Sequence, residues 1–168
     1  MKDYILFLPI IFIFHDMEEI IGFERFFKNN QELFERFPKI TAVYRDFKTD
    51  GFALAVYEEF IPFFGISLLA YFFPGKILCA LWFSLMLALT LHFVIHIGQS
   101  VFIRKYIPSF ATSVICLPIS ILILIKCAAF VKFDFVSVLC IAVGIAVMMI
   151  NLRFAHAIMR WFNRNRVE

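Results

Sequence analysis

Glycine and proline are scarce in this chain, six of each in 168 residues, and only 17% of the residues are charged. So few backbone breakers and charges exclude a disordered linker, a collagen-like repeat and a solvated low-complexity tail. Cysteine is equally sparse. Cys79, Cys116, Cys127 and Cys140 lie in or beside apolar runs, and none forms a C-x-x-C pair. They read as small buried hydrophobes rather than a disulfide framework or a redox site. There is also no glycine-rich phosphate loop, nucleotide fingerprint or serine-nucleophile motif, which disfavours nucleotide hydrolysis and covalent serine chemistry.

What the chain does have is apolar bulk. Hydrophobic residues make up 62% of it and phenylalanine alone contributes 24, against about 45–50% apolar residues in a soluble domain. Mean hydropathy is +0.88. The apolar residues come in runs of about 18 or more, long enough to cross a hydrocarbon core of about 30 Å. Backbone groups in lipid must be satisfied within the segment, so these runs are helices. The expected fold is all-α: a polytopic membrane helix bundle forming one integral membrane domain over 1–168.

Five spanning helices are expected, over about Tyr4–Gly22, Phe52–Phe73, Ile77–Ile103, Ser109–Val131 and Phe133–Leu152, the last continuing as an amphipathic helix toward Asn163. The breaks are physical: Pro74-Gly75, then Arg104-Lys105 with Pro108, then Lys132 and Asp134. The first run is not expected to be a cleaved signal, because it carries charges in its apolar region and lacks a small-residue cleavage site. Between the first two spans, Glu24–Asp50 mixes Phe26, Phe27, Leu33, Phe34 and Phe37 with Arg, Lys and Glu. That pattern suits a short amphipathic helix lying on the membrane surface and covering the mouth of a site.

Lysine and arginine give the orientation. With five crossings, the first loop, the third loop and the C-terminal tail (Arg166 included) hold 12 of the 16 basic residues, leaving Lys2, Lys76, Lys126 and Lys132 on the other side. The positive-inside rule then puts the N-terminus outside and the C-terminus in the cytoplasm of a multi-pass cell (inner) membrane protein. The excess of basic residues is thus a topology signal, and no nucleic-acid partner is expected.

An ionisable group at the bilayer centre costs at least about 2.5–3.5 kcal/mol on insertion scales. This chain nevertheless places His15, Asp16, Glu18 and Glu19 in its first span, Glu58 and Glu59 in its second, His92, His96 and Gln99 in its third, and Asn151 and His156 toward the end of its fifth. With alternating directions, all of these fall in the cytoplasmic half. Residues three and four apart share a helix face, so His15 lines up with Glu18 and Glu19, and His92, His96 and Gln99 form one stripe. Asp16 lies on another face and is expected to tolerate Asn. Imidazole and carboxylate together suit one or two divalent transition-metal ions, Zn, Fe or Mn. The expected ligands are His15, Glu18, Glu58, His92 and His96, with Glu19 or Glu59 as general base and Gln99, Asn151 and His156 as supporting groups. The blander alternatives are a buried ion pair that fixes packing, Glu58 and Glu59 reaching water from near the surface, and His156 touching headgroups between Arg153 and Arg160.

The motif His15-Asp16-Met17-Glu18-Glu19 resembles that of the HXXEE family of small bacterial integral membrane proteins. The resemblance extends more loosely through Tyr57-Glu58-Glu59, His92-x-x-x-His96-x-x-Gln99, Tyr106-x-Pro108, Asn151 and His156. It implies an inner-membrane location and carries no reaction with it.

The leading functional expectation is an intramembrane metal-dependent enzyme, hydrolytic or oxidative, acting on a lipid or other apolar small molecule. One alternative from another class is a proton-coupled transporter that uses the same His and Glu residues as a relay. A glutamate-type intramembrane protease ranks lower: no Arg stands four residues after Glu19, and the Phe93-x-x-His96 spacing departs from that pattern. Membrane lipids are the expected surroundings. The oligomeric state is not legible.

Overall fold

The computed structural model describes residues 1–165, so Arg166 lies outside the described residues. Among the described residues there is no strand. The elements are α1 (Lys2–Ile5), α2 (Phe7–Asn29), α3 (Glu32–Arg36), α4 (Pro38–Thr41), a 3-10 turn (Ala42–Tyr44), α5 (Thr49–Phe72), α6 (Lys76–Ile103), α7 (Phe110–Ala128) and α8 (Phe135–Asn165). The breaks fall where the local chemistry requires them. α5 stops before Pro74-Gly75, and α6 ends at Arg104 in a left-handed conformation with φ 57°.

The chain is a polytopic membrane helix bundle, but the span count needs refining. Four helices, α5 to α8, are both long enough and apolar enough to cross a bilayer. With 23 residues, α2 reaches about 34 Å at about 1.5 Å per residue, so its length suffices. Asp16, Glu18 and Glu19 are what separate it from the apolar four. The amphipathic segment expected after the first helix is present as three short turns over 32–44 rather than one helix. The fifth helix is continuous to Asn165, with no break near Leu152.

Contacts fix the helix directions. Trp82 Nε1 donates to the Ile5 carbonyl across 77 residues of sequence, and the same separation relates His15 to His92, whose rings meet at 5.3 Å. α2 and α6 therefore run parallel. α5 is antiparallel to α2, since Phe12 stacks on Phe63 while Phe23 meets Phe52. α8 runs back along α5, with Asn151 on Glu58 and Asn163 bonded to the Asp46 carbonyl before α5. At one end of the bundle an ion pair between Lys76 and Asp134 ties the α5–α6 turn to the α7–α8 turn. At the other end Lys105 pairs with Glu32.

The centre of the bundle is α6, where Trp82, Ser84, Met86 and Phe93 are fully buried. α8 is the most exposed of the long helices. Lipid offers no hydrophobic gain for helix association, so close approach and van der Waals packing must supply it. Small residues mark the contacts. Gly144 of α8 lies against Ser84 of α6. A Cβ at Gly22 would come within 2.5 Å of the Pro108 ring, so the absence of a side chain there lets the start of α7 close onto α2. That approach builds the site.

Candidate functional site

α2 presents its HXXEE turn to α6 on one side and to the first turn of α7 on the other. One ligand atom from each of His15, Glu19, His92 and His96 lies within 4.8 Å of every other. His15, Glu19 and His96 are buried and His92 is half-buried. His96 Nε2 is 3.1 Å from Glu19 Oε1 and 2.7 Å from His92 Nε2. His15 Nε2 is 3.8 Å from the same Glu19 oxygen. The rings of His15, His92 and His96 meet edge-on or tilted, at 4.1–5.3 Å between centroids.

Hydrogen bonds at the start of α7 hold this arrangement. The first turn of a helix leaves backbone N–H groups free and concentrates positive partial charge. Glu18 uses both: its Oε2 accepts from the Thr112 N–H at 2.8 Å and from the Thr112 hydroxyl at 2.6 Å, and its Oε1 accepts from the Tyr106 hydroxyl. That last bond pushes the Tyr106 hydroxyl up to about 12.

Because the Thr112 hydroxyl donates to Glu18, its oxygen is left to accept from His15 Nδ1–H at 2.9 Å. The bond fixes the His15 tautomer and leaves its Nε2 a bare lone pair, and that atom has no hydrogen-bond partner. Ser109 Oγ meets His96 Nδ1 at 3.0 Å and orients the second ring in the same way. Ser109 itself sits at φ 116° and is fully buried, a conformation that costs a non-glycine residue of order 1–3 kcal/mol. Strain of this kind persists only where the surroundings over-determine it.

The sequence-derived ligand set is thus only partly assembled. His15, His92 and His96 come together as expected. Glu19, assigned there as a base, stands where Glu18 was expected. Glu18 bonds instead to Thr112, whose hydroxyl also meets His15. Neighbouring residues on a helix point about 100° apart, and α7 claims the Glu18 direction. Glu58 stays outside the group and accepts from Asn151 Nδ2 at 3.2 Å. Glu59 faces α2, close enough to Asp16 to interact with it electrostatically. Gln99 reaches His96 from the next turn of α6. His156 stacks edge-on with Tyr44 at 5.8 Å and interacts with His92.

Asp16 lies on another face from His15, turned toward Glu59 of α5; it is 4% exposed and its Oδ2 has no hydrogen-bond partner. Two contributors were missed from the sequence, Ser109 and Thr112, and Tyr106 was named only within the looser resemblance, with no role. Their signal was the cluster of hydroxyl residues at a helix start, Tyr106-x-Pro108-Ser109-x-x-Thr112.

The segment over 32–44 closes the same end of the bundle. Tyr44 stacks on Phe27 at 4.9 Å and meets Phe23 and Phe47. Its hydroxyl is pushed up by burial and by the nearby Glu19 and Glu59. Glu24 anchors the segment's return, accepting from the Thr49 N–H at 2.9 Å and from the Thr49 hydroxyl at 2.6 Å while pairing with Lys28. The Lys28 and Thr49 bonds hold its carboxyl at about 2.

No curated protein and no solved structure matches the chain. A family model described as a protein of unknown function with HXXEE motif matches residues 6–123, which takes in α2, the capping segment, α5, α6 and most of α7. The motif's His15, Glu18 and Glu19 are the residues that bring α2, α6 and α7 together. The chain belongs to the HXXEE family.

Proposed function

We propose that this protein is an intramembrane metal-dependent enzyme in which His15, His92, His96 and Glu19 hold one divalent transition metal. The observation that carries the reading is the convergence of these four donors, two of whose atoms, His15 Nε2 and Glu19 Oε1, are buried with no hydrogen-bond partner. Buried polar atoms are otherwise almost always satisfied. Three imidazoles and a carboxylate suit Zn, Fe or Mn. Hydroxyls on the far ring nitrogens of His15 and His96, one backed by Glu18, are the kind of outer support that orients metal-binding histidines. A metal here would polarise a bound oxygen or lower the pKa of a water.

The surroundings favour an apolar substrate. Phe93 sits edge-on to His15 at 4.8 Å, and the outer faces of α5, α7 and α8 carry exposed aliphatic and aromatic side chains. A lipid or similar small molecule is the proposed substrate class, converted by hydrolysis or oxidation.

The test is elemental analysis of protein purified in mild detergent. Near-stoichiometric transition metal in the wild type, lost in His15→Ala and His92→Ala, supports the reading. Metal-free protein that instead moves protons or solutes under a pH gradient would turn it toward a carrier using the same residues.

We also propose an inner-membrane orientation with the N-terminus outside and the C-terminus in the cytoplasm. The alternating helix directions, and the gathering of basic residues at the end where Lys105 pairs with Glu32, support it. A phosphatase reporter inserted in the Pro74–Lys76 turn should be active, and an inactive one would reverse the orientation.

A further inference from the structure

The segment that caps the bundle carries a cavity of its own. Gln31, Phe34 and Glu35 lie three and four residues apart and so share one face of the α3 turn. Together with Arg45, which follows the 3-10 turn, they line a hollow of about 320 Å³. That volume is at the small end of the about 300–1,000 Å³ range of small-molecule sites. Local contacts hold its wall in place. Leu33 is buried, Phe34 packs on Phe27 at 5.7 Å, and Gln31 Nε2 donates to the Phe27 carbonyl at 2.7 Å. The last bond occupies the Gln31 amide nitrogen and leaves its Oε1 as an available acceptor.

Two opposite charges line this hollow, and the protein answers neither. Among the described residues Glu35 and Arg45 have no ion pair; Lys105, the basic group that reaches α3, bonds to Asn30 and Glu32 instead. A ligand with one positive and one negative group would satisfy both. Position supplies the source of such a ligand. The hollow lies at the end of the bundle where α2 and α6 stop and basic residues gather, on a segment whose Ile40 is exposed. Lipid headgroups meet a membrane protein at such an end.

We propose that this hollow binds the headgroup of a zwitterionic phospholipid bearing a primary ammonium, with its phosphate on Arg45 and its ammonium on Glu35 and Gln31 Oε1. Arginine presents a planar fork of donors that matches phosphate. A primary ammonium offers three N–H donors to the carboxylate and amide oxygens, and the Phe34 face suits a cation. A quaternary ammonium has no N–H to give and takes a cage of several rings, whereas a single ring lines this hollow. A headgroup with a phosphate and no cation meets Glu35 as a like charge. One bound lipid bridges residues 31–35 and Arg45, and so holds the two arms of the capping segment together at the membrane surface. No donor of the histidine group lines the hollow, so the inference is independent of the metal reading.

The test uses the full chain in nanodiscs of equal parts phosphatidylethanolamine, phosphatidylcholine and phosphatidylglycerol, transferred to detergent, with retained lipid counted by native mass spectrometry. The wild type should retain one phosphatidylethanolamine, favoured about fivefold over either other lipid, the scale of an exposed charge contact. Arg45→Gln should lose that retained lipid. Glu35→Gln should keep a lipid but take phosphatidylglycerol as readily as phosphatidylethanolamine. Lys48 is basic but outside the hollow, and Lys48→Gln should change nothing. No retained lipid, equal retention of the ethanolamine and choline lipids, or a preference that survives both substitutions in the hollow overturns the proposal. So does a loss in Lys48→Gln equal to that in Arg45→Gln. Displacement by soluble phosphoethanolamine at the lipid's own concentration overturns the lipid as the source and gives the hollow to the free zwitterion. Size-exclusion profiles report folding, and if one variant fails to fold the count from the other decides.

Discussion

The protein contains two Glu-Glu pairs, Glu18-Glu19 on α2 and Glu58-Glu59 on α5, and it treats them differently. In the first pair both side chains are fixed from several directions. Glu18 takes hydrogen bonds from Thr112 and Tyr106, while Glu19 is drawn to His96 and His15. In the second pair Glu58 has a single bond, to Asn151, and Glu59 faces the Asp16 side of α2. The difference lies in what packs alongside. α2 is wedged between α6 and the first turn of α7, whose free N–H groups and hydroxyls can bind a carboxylate. On α5, Glu58 faces α8, where Asn151 donates to it, while Glu59 turns toward α2. Identical dipeptides acquire different chemistry from the helix ends they meet.

The largest expected effect that would break this comparison comes from Glu19→Ala. If Glu19 is a ligand, bound transition metal in purified protein should fall to background, as it should for His96→Ala. Retention of the full complement would remove Glu19 from the site and place the two pairs on the same footing.

Glu18→Gln should have an intermediate effect. Glu18 acts through Thr112 on His15, and outer groups of this kind alter metal affinity by about 10–100-fold. Thr112→Val should act through the same chain, so the double variant should be clearly less than additive. Additive losses, read from competition with a chelating dye, would mean that Glu18 and Thr112 work independently.

A third test uses acid. Glu24 joins the end of α2 to the start of α5 with its carboxyl lowered from about 4.5 to about 2. A group depressed in the folded state contributes stability that is fully present above its unfolded value and is lost as pH falls through its folded value. The difference in thermal midpoint between wild type and Glu24→Gln should therefore be full above about pH 4.5 and vanish toward pH 2. A difference that stays constant over that window would separate Glu24 from the closure of the segment.

The smallest effect is expected for Glu58→Gln. The amide can still accept from Asn151, and a single part-buried bond of this kind contributes about 0.5–1.5 kcal/mol. Metal affinity should change less than about threefold, below the range set by outer-shell groups. A loss as large as that of Glu19→Ala would bring Glu58 back into the ligand set.

Most of the scaffold was legible because it rests on local rules. Run length, Pro74-Gly75, Pro108 and the Lys132–Asp134 break set the starts of α5 to α8 to within a few residues, although α2 runs on to Asn29, past the Gly22 expected. Helical spacing alone put His92 and His96 on one stripe. What was not legible depends on neighbours. Sequence periodicity shows that Glu18 and Glu19 diverge, but which of them faces the histidines depends on where α7 begins, and that depends on Gly22 admitting Pro108. In the same way, periodicity put Asp16 on a different face without showing that α5, rather than lipid, covers it. The span count was sensitive to the one helix whose charges serve the site.

The bond between His15 and Thr112 joins residues 97 positions apart, which has a consequence for biosynthesis. At about 5–20 residues per second, roughly 5–20 s separate the synthesis of the HXXEE turn from that of the helix start that satisfies it. For most of that interval the motif's three carboxylates and its histidine lack their α6 and α7 partners, since His92 and His96 follow His15 only after 77 and 81 residues. A newly made α2 is therefore better suited to waiting at the membrane surface or against the insertion machinery than to entering lipid alone, and its docking is completed only when the start of α7 arrives. The order of synthesis makes the motif helix, first to emerge, the last of its neighbours to be secured.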